Sequence, residues 1–327
     1  MCTMDSTPTS HKQLSPEVLL ASRRTICISN GKGGVGKTTL TTNLAALLAE
    51  AGYKVLVVDL DSQGDTSTNL GIINDDRYDQ GEALDIAVRY NRTPEPIKDV
   101  RPGLDVLAGG NYTAQLMDAF QGDASRQGKM RGGVARTLAT LAGNYDIVLI
   151  DTPPSEAGWT AIEEAMLASR WILAPVKPEP KSIRGLQSLA RRILSVQGDN
   201  PSVALLGVVL FGIPTNATNV DKQARTLLQE SLEGIAPVFE GSIRDVVAAD
   251  ADASFRGLAA HELAAKAATQ SPFWERLRNK GAATSDERRI AQSAGNLAED
   301  YMRLTEQIVH ELQVQEESLD QLEGAAK

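Results

Sequence analysis

An α/β fold with a mostly parallel, doubly wound sheet covered by helices on both faces is predicted by three observations. Short apolar runs alternate with longer stretches of helical character, and a glycine-rich loop joins the first such run to the first such helix. No internal repeat or long Pro/Gly/Ser linker interrupts that order between residues 24 and 280. Strands buried on both faces read as continuous Val/Ile/Leu segments rather than alternating ones, which is the signature of a parallel sheet between helical layers.

Residues 1–23 form a Ser/Thr/Pro-rich, flexible lead-in with room for about one helical turn near Val18 and Ala21. The first strand is expected at 25–29, a helix at 38–50 and a second strand at 54–59. Further strands are expected at 104–107, 146–150, 171–176, 205–211 and 238–241, with helices between them. One domain therefore spans 24–280. Residues 281–327 differ in composition, holding ten acidic residues against Arg288, Arg289, Arg303 and Lys327. Within this tail Leu297, Tyr301, Leu304, Ile308 and Leu312 recur at three- and four-residue steps, the mark of an amphipathic helix packed either on its own domain or on a partner.

Composition narrows the function classes. At 327 residues and 42% hydrophobic the chain can bury a large core, which excludes disulfide-stapled miniproteins and wholesale disorder. A net charge of −9 argues against a uniformly basic nucleic-acid coat. Cys2 and Cys27 are too few for a disulfide framework or a cysteine-held metal, so a cytoplasmic protein is expected. No apolar run approaches the roughly 20 residues that cross a bilayer, and His11, Lys12 and Glu17 stand where a signal peptide is apolar. The three histidines are scattered, and Trp159, Trp171 and Trp274 read as packing residues.

The chemistry concentrates in Gly31-Lys32-Gly33-Gly34-Val35-Gly36-Lys37-Thr38-Thr39, which fits G-x-x-x-x-G-K-[ST] between a strand and a helix. Glycines let the backbone turn its N–H groups onto phosphates, and the helix amino end adds partial positive charge. Lys37 is placed to bridge β- and γ-phosphates, Thr38 to ligate Mg²⁺ and Thr39 to reach the α-phosphate. The pattern predicts a P-loop NTPase. Asp59 and Asp61 end the second strand, and Asp151 ends the strand at 146–150, the position that holds Mg²⁺ in such enzymes.

Lys32 is not needed by the general motif, since Lys37 already serves the phosphates of its own subunit. With it, Lys32 to Thr39 reads KGGVGKTT and resembles the deviant Walker A loop of the ParA/MinD group of ATPases. The stretch from Asp59 to Asp65 is similar to the group's DxDPQGN, with Ser62 for Pro and Asp65 for Asn, and Ile150 to Ser155 resembles IDCPPS with Thr152 for Cys. Residues 172–176, 182–186 and 207–210, with Arg244 at the group's Ile-Pro-Arg position, extend the likeness to about residue 265.

The resemblance implies a ParA-type partition ATPase of the form without an added helix-turn-helix domain. It implies ATP/ADP and Mg²⁺ as cofactors and a nucleotide-sandwich homodimer in which Lys32 reaches the partner's phosphates. Asp61 would orient the attacking water and join Thr38 and Asp151 around the metal. Pro214 and Asn216 are candidates for the adenine edge. Nonspecific duplex DNA would bind the ATP state, with Arg244, Lys181, Arg184 and Arg225 as candidate contacts, and a ParB-like protein would stimulate slow hydrolysis. The expected location is cytoplasmic and nucleoid-associated. The alternative is a MinD-like positioning ATPase for a non-DNA cargo or the membrane; the acidic tail disfavours membrane attachment.

Overall fold

The computed structural model describes residues 13–121, 130–154, 158–214, 218–270, 290–291 and 293–325. Eight strands form one sheet: β1 Thr25–Ile28, β2 Val55–Asp59, β3 Ile97–Arg101, β4 Leu104–Leu107, β5 Ile147–Asp151, β6 Trp171–Val176, β7 Ala204–Ile213 and β8 Ile243–Arg244. Their order is β3-β4-β2-β5-β1-β6-β7-β8, parallel throughout except for the β3/β4 hairpin at one edge. Every residue of β1, β2, β4, β5 and β6 is buried, which is why these segments read as unbroken apolar runs. Alternate side chains enter two cores: Cys27, Leu56, Val58 and Ile150 on one face, Ile26, Ile28, Val57 and Leu149 on the other.

The first core is covered by α1 Pro16–Ala21, α4 Glu82–Tyr90, α5 Asn111–Phe120, α6 Gly133–Ala139, α7 Trp159–Leu167, α8 Pro180–Val196 and α9 Thr218–Ser231. The second is covered by α2 Lys37–Glu50, by α10 Val247–Arg256 and α11 Ala260–Ala268, and by the long α12 Ala294–Ala325; the short α3 Asp65–Asn69 packs on α2 and α10. Helix α2 is buried along most of its length, Thr41, Thr42 and Asn43 included, because it lies between the sheet and this outer layer.

Two expectations are corrected. The amphipathic, charged β3 was not foreseen: an edge strand with one covered face has no continuous apolar run. At 238–241 no strand forms; Val238 makes one parallel bridge to Val208, and the eighth strand is Ile243–Arg244. Gly207 explains the bridge region, since a methyl there would strike the Phe239 ring that fills its place.

In the tail, Leu297, Tyr301, Leu304 and Ile308 are each at most 1% exposed and join the core that holds α2. Leu304 lies against Gly241, and Gln307 Oε1 accepts the Gly241 N–H at 2.8 Å. Farther along α12, Glu316 accepts from Arg24 Nε at 2.7 Å and Asp320 pairs with Arg23, next to the start of β1. Trp274 and His11 lie outside the described residues.

Candidate nucleotide-binding site

The loop between β1 and α2 lies at the carboxyl edge of the sheet, where open α/β folds bind ligands. Gly34 and Gly36 take φ of 66° and 83°, the left-handed turns that bring the chain around onto α2. Gly36 is the N-cap of α2 and supplies no side chain to the first-turn N–H groups, so Lys37, Thr38 and Thr39 present them uncapped. An anion completes such an end.

Lys37 is 6% exposed, and burial pulls its ammonium below the usual lysine range while Asp151 and Asp61 pull it back up. Asp151 is fully buried and accepts from Thr38 Oγ1 at 2.7 Å and from Thr41 Oγ1 at 3.3 Å. Burial raises it to about 6, against the Thr38 hydrogen bond and the Lys37 charge. Beside it in register, Asp59 is wholly buried and accepts the Asp61 N–H at 2.9 Å. Burial, then the Asp151 carboxylate, holds Asp59 well above the ordinary range. Asp61 accepts the Gln63 N–H at 3.0 Å, and burial raises it too. The Lys37 ammonium beside Asp61 and Asp151, with the Thr38 hydroxyl on Asp151, offers a positive charge for a polyphosphate and a hydroxyl–carboxylate pair for a hard divalent cation.

Two prolines stiffen the far wall. Thr152 Oγ1 donates to Ile28 O at 2.8 Å, and Pro154 lies 3.4 Å from where a Gly33 methyl would stand, so the strand carrying Asp151 touches the loop. Asn30 Oδ1 and Ser182 Oγ, both buried, make no hydrogen bond to protein. The structure thus brings Gly33, Gly34, Val35, Gly36, Lys37, Thr38, Thr39, Asp61 and Asp151 together at one edge.

Lys32 behaves differently. Its Nζ points out of the loop onto Glu179, 3.0 Å away, with the two side chains 40% and 49% exposed. Glu179 is the N-cap of α8, just past β6. Lys32, followed by Lys177 and Lys181, keeps this carboxylate below its ordinary value. The remaining candidates are dispersed. Pro214 is exposed after β7, Asn216 lies outside the described residues, Lys181 is exposed, and the Arg184 side chain is outside the described set. Arg244 makes a bidentate pair with Asp300 of α12 at 2.6 and 2.8 Å. Arg225 donates to Phe239 O at 2.6 Å and Glu240 O at 3.2 Å. Both guanidinium groups are therefore engaged within the fold.

Sequence reasoning passed over Glu179 and Phe211. The acid stands in Pro178-Glu179-Pro180 at a strand end, a stiff acidic turn on the loop's edge of the sheet. Phe211, near the end of β7, lays its ring on Gly36; a Phe-Gly pair at a strand's carboxyl end was the available signal.

Comparisons with known proteins identify relatives of this chain. Residues 23–205 match a family model described as an AAA domain. The chain is 38% identical to the chromosome partitioning protein ParA of Caulobacter vibrioides, over 57% of this chain and 68% of that one. It is 33% identical to the chromosome-partitioning ATPase Soj of Thermus thermophilus, over 66% and 76%. Among solved structures, cobyrinic acid a,c-diamide synthase of Mycobacterium smegmatis with bound ATP analog and magnesium superposes at a TM-score of 0.58 and 27% identity, covering 71% of this chain and 91% of that one. A phosphate loop with an added lysine, a buried lysine and carboxylates facing it, and this kinship together place the chain in the ParA family of P-loop ATPases.

Proposed function

We propose that this chain is the ATP-switched, dimerising ATPase of a DNA partition system, binding nonspecific duplex DNA in its ATP state and working with a ParB-like, centromere-binding partner. The observation that carries the reading is the division of labour between the two loop lysines: Lys37 is buried beside Asp61 and Asp151, while Lys32 is half-buried and pairs with Glu179 instead. A cation at the rim of a phosphate site, held on an acid outside it, is available to a site that approaches from outside, such as that of a second copy. The chain's kinship to chromosome partitioning proteins supports the partition role.

Mg²⁺-ATP, when bound, supplies the phosphoryl group that is transferred to water. Backbone N–H groups of residues 33–39 and the Lys37 ammonium hold its phosphates. Thr38 and Asp151, already joined at 2.7 Å, would hold the metal together with Asp61, and the metal would offset the charge of the phosphates. The Asp61 carboxylate, fixed by the Gln63 N–H, orients the attacking water. Lys32 leaves Glu179 and neutralises charge developing on the partner's phosphates. Hydrolysis is slow until a partner stimulates it, which lets the ATP state persist on the nucleoid of a cytoplasmic protein. No described helix is long and apolar enough to cross a membrane.

The test is sedimentation and duplex-DNA binding of purified protein with Mg²⁺ and ATP or ADP, using Asp61→Ala to hold the ATP state. ATP-dependent dimers that bind DNA in a salt-sensitive manner are expected. Lys37→Ala abolishes nucleotide binding, and Lys32→Ala binds ATP but neither dimerises nor turns it over. A Lys32→Ala protein with normal turnover would break the sandwich mechanism. Dimers that ignore DNA would leave the ATPase and shift its role to positioning another cargo.

A further inference from the structure

Phe211 is one of only five phenylalanines, and it is half-buried at the edge of the sheet that carries the phosphate loop. It pairs with Ile243 of β8, and Ile213 pairs with Arg244, so β7 spends two steps where β8 spends one. The extra residue is Gly212, at φ 73°. Bulges of this kind bend a strand and re-aim a neighbouring side chain. Here the result is that the far end of the Phe211 ring rests on Gly36: a methyl added there would collide with Cζ and both Cε atoms. Phe211 packs against the core beneath α2 but is only partly buried, beside the amino end of that helix.

The order of strands gives the direction in which a nucleotide lies. β1 carries the loop; β5 and β2, which lead to Asp151, Asp59 and Asp61, lie on one side of it, and β6 and β7 on the other. With the terminal phosphate toward the carboxylates and the chain of phosphates gripped at Lys37, the nucleoside end extends toward β7. Phe211 is the β7 side chain that meets the loop.

We propose that Phe211 is the stacking wall for the nucleotide base and a specificity-determining residue of the ATP site; this rests on the ATP reading given above. Stacking reads a π-face rather than a hydrogen-bond pattern. Phe211 therefore selects a base over none and a purine over a pyrimidine, and does not by itself separate ATP from GTP.

The experiment measures equilibrium dissociation constants by calorimetry for ATP, CTP and inorganic tripolyphosphate, each with Mg²⁺, on the full chain and on Phe211→Leu and Phe211→Tyr. Phe211→Leu is expected to weaken ATP by about three- to tenfold, to shrink the preference for ATP over CTP, and to leave tripolyphosphate within about twofold. Phe211→Tyr is expected to match the parent. Equal losses for ATP and tripolyphosphate would assign the ring to packing and overturn the proposal, as would unchanged ATP binding by Phe211→Leu or a tyrosine variant as weak as the leucine one. A parent that binds tripolyphosphate as tightly as ATP would overturn the stacking wall alone; a parent that binds neither would overturn the ATP site with it.

Discussion

Replacing Leu304 by alanine tests whether the carboxyl-terminal helix is part of the ATPase core in solution. Leu304 has no exposed surface, and its Cα and Cβ stand 3.2 and 3.3 Å from where a Gly241 methyl would sit, so the wall around it is backbone and cannot readily collapse inward. Deleting a fully buried leucine side chain costs about 2–5 kcal/mol, the larger values where the cavity stays open. Taking about 3 kcal/mol, and an unfolding entropy of about 0.6 kcal/mol/K for a fold of roughly 300 residues, the melting temperature should fall by about 5 °C. Thermal unfolding followed by circular dichroism, with a urea titration to check that the m-value is unchanged, reads the effect. Met302, two residues away and 47% exposed, provides the control: Met302→Ala should stay within about 0.5 kcal/mol of the parent. A Leu304→Ala protein that melts with the parent, or a Met302→Ala protein that falls as far, would refute the docking of α12.

Two other perturbations follow from charges the fold has buried or paired. Glu164 is 2% exposed and accepts from the N–H groups of Gly132 and Val134 at 2.8 and 3.2 Å, yet burial raises it from 4.5 to about 7. The folded state then keeps a proton that the unfolded chain releases between those values, so Glu164 weakens the fold by about 3 kcal/mol as pH climbs through that window and adds no slope above it. Glu164→Gln should gain on the parent from pH 4.5 to 7 and level off beyond, in urea midpoints taken at several pH values; a flat difference would mean that the two N–H groups keep the carboxylate charged. Glu179→Gln frees Lys32, and should shift ATP-dependent dimerisation to lower protein concentration, by no more than a few-fold because exposed ion pairs are weak, with the gain fading in high salt. Weaker dimerisation would give Glu179 a role in receiving the partner instead.

Buried parallel strands are legible because burial on both faces forces continuous apolar runs, so β1, β2, β4, β5, β6 and β7 stand within a residue or two of their expected places. β3 was not, since an edge strand such as Ile97–Arg101 carries Lys98 and Asp99 toward water. The loop from Gly31 to Thr39 was readable because its chemistry is local: consecutive residues wrap one group of phosphates. Phe211 and Glu179 reach the same place from β7 and from the end of β6, and only the order of strands makes them neighbours of the loop. Charge counting fails for a related reason. Arg225 and Arg244 look like surface cations in one dimension, but Phe239, Glu240 and Asp300 take up their donors once the chain has folded.

The strand at the centre of the sheet is also the first to be synthesised. β1 has β5 and β6 as its neighbours, and neither exists until translation has passed residues 147–151 and 171–176. At elongation rates of about 5–20 residues per second, that leaves the Thr25–Ile28 segment without pairing for on the order of ten seconds. During this interval the phosphate loop has a strand but no sheet to hold it at an edge, and Lys37 has no Asp151 to face. A ribosome stalled before residue 147 therefore releases a chain that cannot grip ATP. Nascent-chain protection of the loop should appear late and abruptly, when β5 and β6 close on β1, rather than growing with chain length.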